Sequence, residues 1–287
     1  MTPELSPEFS PELSGGGGAI APSAHDKSGL VRYVLSLADD ALIAAQRIGQ
    51  WIAAAPQIEE DIALGNIALD LLGQARSLLT YAGQVEQAAT GKQCDEDSLA
   101  YFRDERDFLN VQLVERAHGW PGGAPGSDFG VTMARLLILS TYQFELYTAL
   151  QTSTDGTLAA VAAKAVKEVD YHRDHATMWM LRLGDGTAES RLRMQAALDA
   201  EWPYHYELFD NTYIDPALLE SGEAVDPAGL RDVWQRRVTG VVGQATLTLP
   251  VVPPAVTGGR RGIHSEQMGF LLAEMQHLAR SHPGAQW

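Results

Sequence analysis

The sequence predicts an all-α helical bundle with additional helices toward the C-terminus. Apolar residues recur at alternating spacings of three and four along most of the chain. The interruptions are clusters of glycine and proline. Neither a strand–helix alternation nor a glycine-rich nucleotide loop accompanies them, which leaves long antiparallel helices with short links.

Residues 1–28, MTPELSPEFSPELSGGGGAIAPSAHDKS, repeat Ser/Thr-Pro-Glu and then run into four glycines. So few apolar residues predict a flexible tail, with one helical domain over 29–287. Leu30, Val34, Leu37, Ala41, Ala44, Ile48 and Ile52 form the stripe of a first helix that ends at AAAP. A second helix is expected over 58–85, with Leu64, Ile67, Leu71, Gln74, Leu78 and Tyr81 facing inward. DEDSLAYFRDERDFLNVQLVE (95–115) predicts a third, halted by GWPGGAPGSD (119–128). Residues 128–151 are nearly apolar enough to be buried on every side, and 157–183 follow after the turn STDG. Further helices fit 187–209, 227–242 and 264–281, with the proline- and glycine-rich LTLPVVPPAVTGGRRGIHS between the last two.

At 287 residues the chain is long enough for a substantial core. A formal net charge of −16 argues against nucleic-acid or anionic-membrane partners. The single cysteine, Cys94, excludes an intramolecular disulfide and a thiolate zinc site, and fits a reducing cytoplasm. No apolar run approaches the roughly 18 residues of a membrane span, and the start lacks a signal-peptide pattern. The expected location is cytoplasmic.

Helical bundles can hold a carboxylate-bridged di-metal centre, with two helices each supplying Glu-x-x-His so that one turn offers an oxygen and a nitrogen to the same ion. Two matches occur, Glu115/His118 and Glu274/His277. Chance hits are common for so short a motif. The first pair sits at a helix end beside the GWPGG break, where its side chains would face a loop. The second lies among Leu271, Met275 and Leu278, which reads as a half-buried or interface position.

KEVDYHRDH (167–175) is richer still in acids and histidines. The stripe of its helix is Ala162, Ala165, Val169, His172, Ala176, Trp179 and Leu183. This places His172 on the core side and turns Lys167, Asp170, Arg173 and Asp174 outward. Val169 stands three residues before His172, where a partner Glu would be needed, and Glu168 and His175 lie at the edge. On the second helix Leu71 and Gln74 occupy the corresponding inward pair. A buried amide needs a partner, and His172 across the bundle is the expected one for Gln74.

DLLGQARSLLTYAG, LAYFRDERDFLN, LAAVAAKAVKEVDYH, YELFD and RGIHSEQMGFLLAEMQHLARSHPGAQW together resemble the C subunit of the ring-1,2-phenylacetyl-CoA epoxidase (phenylacetate-CoA oxygenase) family, from about Leu30 to Trp287. The resemblance implies a ferritin-like fold and a non-catalytic role. In that family the A subunit holds a di-iron centre that epoxidises the ring of phenylacetyl-CoA, with electrons from an NADPH-dependent reductase. The C subunit is its structural partner. Carried onto this sequence, the family's ligand positions fall at Ala41, Leu71, Gln74, Ser140, Val169 and His172, of which only His172 could still ligate. The chain itself is then expected to have no catalytic residues and no cofactor, the di-iron lying in the partner A subunit.

Arg260 and Arg261 in the long loop are candidates for an interface with partner carboxylates or with the phosphates of the CoA moiety; the alternative is that they simply solubilise a turn. The contrasting possibility is an active di-metal oxidase or metal store using His172, His175, Glu168 and Glu145. A third is a free-standing helical binding module.

Overall fold

The computed structural model describes residues 29–91, 93–119 and 128–285. The tail expected over 1–28 and most of the GWPGGAPGSD break lie outside the described residues. Ten α-helices and no β-strand occur among the described residues. None of these helices is long and apolar enough to cross a membrane.

Four long helices carry the core as two hairpins. α1 (Gly29–Gly49) pairs with α2 (Ile58–Thr90). A crossover then holds the short α3 (Glu96–Tyr101), a 3-10 turn at Glu105–Asp107 and α4 (Gln112–Glu115). It leads to α5 (Phe129–Leu150), which pairs with α6 (Gly156–Gly184). α2 also packs on α6, closing the bundle. Two antiparallel hairpins joined by a long crossover make this a ferritin-like arrangement. Seven further pieces follow: α7 (Ala188–Glu201), a 3-10 stretch at Trp202–Phe209, α8 (Pro216–Glu220), a 3-10 turn at Pro227–Leu230, α9 (Arg231–Gln244), a 3-10 turn at Gly259–Arg261 and α10 (Glu266–Ser281).

The ends of the helices are set locally. Asp128 caps α5 by accepting from Gly130 N (2.8 Å), and Asp155 caps α6 by accepting from Thr157 N and Leu158 N (both 2.9 Å). α2 stops at Gly91, whose φ of +74° is the left-handed C-cap that glycine adopts without a Cβ penalty.

The expected inward stripes are inward. Leu64, Ile67, Leu71, Gln74 and Leu78 are buried, with Tyr81 partly so, and α5 is buried on nearly all sides. Three expectations are corrected. Ile52 lies beyond the end of α1 and is 65 % exposed. Residues 95–115 are a broken crossover, because Arg103 and the backbone after it bond to α1 instead of continuing a helix. The helix expected over 187–209 turns to 3-10 at Trp202, with Pro203 at its start. α8 has no counterpart in the sequence reading.

α1 is enclosed on nearly every side. Every residue from Val31 to Ile48 is buried except Arg32 and Gln46. Its outer side lies under the crossover, the 258–263 loop and α10, through Asp39–Arg103, Asp40–Arg260 and the bond from Arg47 to Gln267 O.

Candidate functional site

The inward faces of the four long helices are the place where a bundle of this kind can hold chemistry. Ala41 on α1, Leu71 and Gln74 on α2, Ser140 on α5, and Val169 and His172 on α6 are all buried. Helical periodicity puts five of them there, on the apolar stripes of α1, α2 and α6, while Ser140 belongs to α5, which is buried on nearly all sides. Three of the six, Ala41, Leu71 and Val169, have no donor atom. None of the six is a carboxylate, so this set does not fit a carboxylate-bridged di-iron centre, whose charge needs several. Ser140 Oγ donates to Leu136 O at 2.6 Å within its own helix.

The polar side chains of this region pair along the α2–α6 seam. His172 Nε2 lies 3.1 Å from Asp70 Oδ2, and its Nδ1 has no hydrogen-bond partner. Gln74 Nε2 donates to Glu168 Oε2 at 3.0 Å, while Gln74 Oε1 is unpaired. The expected Gln74–His172 bond is therefore replaced by two others. Helices crossing antiparallel bring residue 74 level with 168 and residue 70 level with 172. Burial holds His172 below its ordinary 6.5, with the Asp70 carboxylate pulling the other way.

His175 is buried and lies 3.1 Å from Glu60 Oε2, which also accepts from Trp179 Nε1 at 2.8 Å. Glu145 is engaged by Arg237, and Glu168 by Lys164 at 3.5 Å. The four side chains of the di-metal alternative thus have separate partners. Among the described residues no group of three His, Cys, Asp or Glu side chains converges on a common point.

Glu115 and His118 are both buried, and Glu115 does face a loop, the segment with His264 and Ser265 that precedes α10. α4 ends at Glu115 and Arg116 is extended, so the two do not share a helical turn. Glu115 receives Ser265 N (2.6 Å) and pairs with His264 Nδ1 (2.8 Å). His118 donates from Nε2 to Arg47 O (2.5 Å) and accepts at Nδ1 from Thr132 Oγ1 (2.6 Å). Glu274 and His277 are exposed on α10, not half-buried.

The arginine pair divides. Arg260 is 1 % exposed, corrects its assignment to an interface, and is held by Asp40, Ser36 O and Leu109 O. Burial alone would lower its pKa, but Asp40 and the Tyr213 and Tyr142 phenols outweigh burial and raise it. Arg261 stays exposed, 3.6 Å from Asp210.

Sequence reasoning missed the buried acids that pin the crossover. Asp39 takes both Arg103 and Leu109 N (2.9 Å), and Asp40 takes Arg260 and Val111 N (2.9 Å). Glu207 accepts from Gln112 N (2.7 Å) and Gly259 N (2.6 Å). The available signal was an adjacent Asp pair inside a helix with apolar neighbours on both flanks.

Comparison with known proteins agrees with this architecture. A family model described as "Phenylacetic acid catabolic protein" matches residues 20–287. The chain is 45 % identical over 258 residues to the C subunit of 1,2-phenylacetyl-CoA epoxidase from Escherichia coli (strain K12), covering 90 % of this chain and 99 % of that protein. With a family model matched over most of its length and a relative at this identity and coverage, the chain belongs to the phenylacetic acid catabolic protein family.

Proposed function

We propose that this chain is the non-catalytic structural subunit of a multicomponent oxygenase that epoxidises the ring of phenylacetyl-CoA in phenylacetate catabolism. It pairs with and stabilises a di-iron A subunit in the cytoplasm. The similarity to the C subunit of an epoxidase supports the pathway and the existence of partner subunits. The observation that carries the non-catalytic reading is the apolar filling of the bundle centre. Ala41, Leu71 and Val169 pack there at 0 % exposure, supplying dispersion and burial where an active paralogue would need carboxylates.

Metal analysis tests this directly. The chain, purified alone and incubated anaerobically with Fe(II), should retain far less than two metal ions per chain. About two would overturn the reading in favour of an active di-metal protein. Co-expression with a di-iron paralogue encoded beside it should give a stable complex, with the epoxidase activity and the iron residing in the paralogue.

A further inference from the structure

One outer face of the bundle is built for something the fold itself does not provide. Ile58, Ile62, Gly65, Leu69 and Gly73 follow one another along α2 at spacings of four, three, four and four, a row on one side of the helix. Ile58, Ile62 and Leu69 are 70 %, 61 % and 66 % exposed. A Cβ on Gly65 or Gly73 would meet nothing within 4 Å. Mid-helix glycine costs about 1 kcal/mol relative to alanine, and nothing inside this chain requires it at either position.

The row ends at a groove of about 220 Å³ between α2 and α6, lined by Gly73, Gln74, Val161, Lys164, Ala165 and Glu168. Gln74 is 3 % exposed, and its Oε1 has no hydrogen-bond partner. The amide orientation is fixed chemically, because its Nε2 faces the Glu168 carboxylate, which can only accept. A buried, unpaired acceptor beside a carboxylate calls for a donor. Lys164 serves that carboxylate only from 3.5 Å and is itself 71 % exposed. A planar guanidinium could serve both oxygens at once, with its stem along Val161 and Ala165.

We propose that this face docks a helix of the catalytic subunit, whose backbone approaches at Gly65 and Gly73 and whose arginine enters the groove to meet Gln74 Oε1 and Glu168. The inference rests on the pairing proposed above. A second copy of this chain is the less suitable occupant, since each carries a formal charge of −16.

The test uses the full chain and the di-iron paralogue encoded beside it, with affinity measured by calorimetry. Leu69→Glu, a surface change that leaves the thermal midpoint unaltered, should weaken binding at least tenfold, and Glu168→Gln about tenfold. Lys164→Met removes the competing cation and should leave affinity unchanged or raise it. Unaltered affinity in Leu69→Glu overturns the docking face while the pairing stands. Unaltered affinity in Glu168→Gln, or weaker binding in Lys164→Met, overturns the cationic anchor. A dimer of the chain alone that Leu69→Glu dissolves makes a second copy the occupant and overturns the inference. If the wild-type chains form no complex, the pairing itself fails and takes the inference with it.

Discussion

Arg260 and Asp40, 220 positions apart in the chain, form a buried ion pair with Nη2 2.7 Å from Oδ2. Arg260 Nη1 also donates to Ser36 O (3.0 Å) and Leu109 O (2.9 Å), so one guanidinium joins α1, the crossover and the 258–263 loop.

Removing that guanidinium leaves the buried Asp40 carboxylate with only the Val111 N–H and takes a donor from Ser36 O and Leu109 O. Arg260→Met should lower the unfolding free energy by about 3–5 kcal/mol. Arg260→Lys should recover only part, because an ammonium lacks the fork that spans these acceptors. Urea denaturation measures this, and a loss below about 1 kcal/mol would show that the clamp contributes little.

Histidine burial sets the acid limit of stability. Burial, with the Arg135 charge nearby, holds His118 down from 6.5 to about 3, and burial holds His205 down to about 4. Unfolded, both bind protons near 6.5, so the unfolded state takes up more protons as the pH falls below that value. Stability should drop by about 1.4 kcal/mol per pH unit for each such group until its folded pKa is reached. Urea midpoints followed from pH 7 to 4 check this, and His205→Gln should make the acid limb shallower.

His264 acts with the opposite sign. Its Nδ1 faces Glu115 Oε2 and its Nε2 faces Phe108 O at 3.0 Å, two acceptors that favour the imidazolium. Burial lowers its pKa, but Glu115 outweighs burial and raises it above 6.5. Its stabilisation is complete below 6.5 and is lost as the pH rises through the folded value. Unfolding curves from about pH 4 to 9 should therefore pass through a maximum, and His264→Gln should flatten the alkaline side.

Two glycines should respond in opposite directions. A Cβ on Gly259 would lie 2.0 Å from Asn110 O, a backbone atom of the crossover that cannot move aside freely. Gly259→Ala should cost about 2–4 kcal/mol through overpacking. Gly65→Ala meets nothing and should raise the stability of the isolated chain by about 0.5–1 kcal/mol. Thermal midpoints of the two variants should shift down and up.

The sequence by itself determined the long helices and what they bury. Periodicity is local, so three- and four-residue spacings were enough to place Leu71, Gln74, Val169 and His172 on inward faces, and Asp128 marks a helix start through short-range bonds, whereas α2 runs past the expected end at 85 to Thr90 and its cap Gly91. Tertiary structure decided everything that depends on which distant residues meet. The crossover has enough helical spacing at 95–115 to read as one helix. Yet Asp39 and Asp40 offer its backbone N–H groups, at Leu109 and Val111, better partners than a helix continuing there would. Likewise the register of α2 against α6, not the identity of either side chain, gave Gln74 to Glu168 and His172 to Asp70. A buried polar atom must find a partner, and sequence shows the need without showing which of many distant groups the packing will bring within about 3 Å.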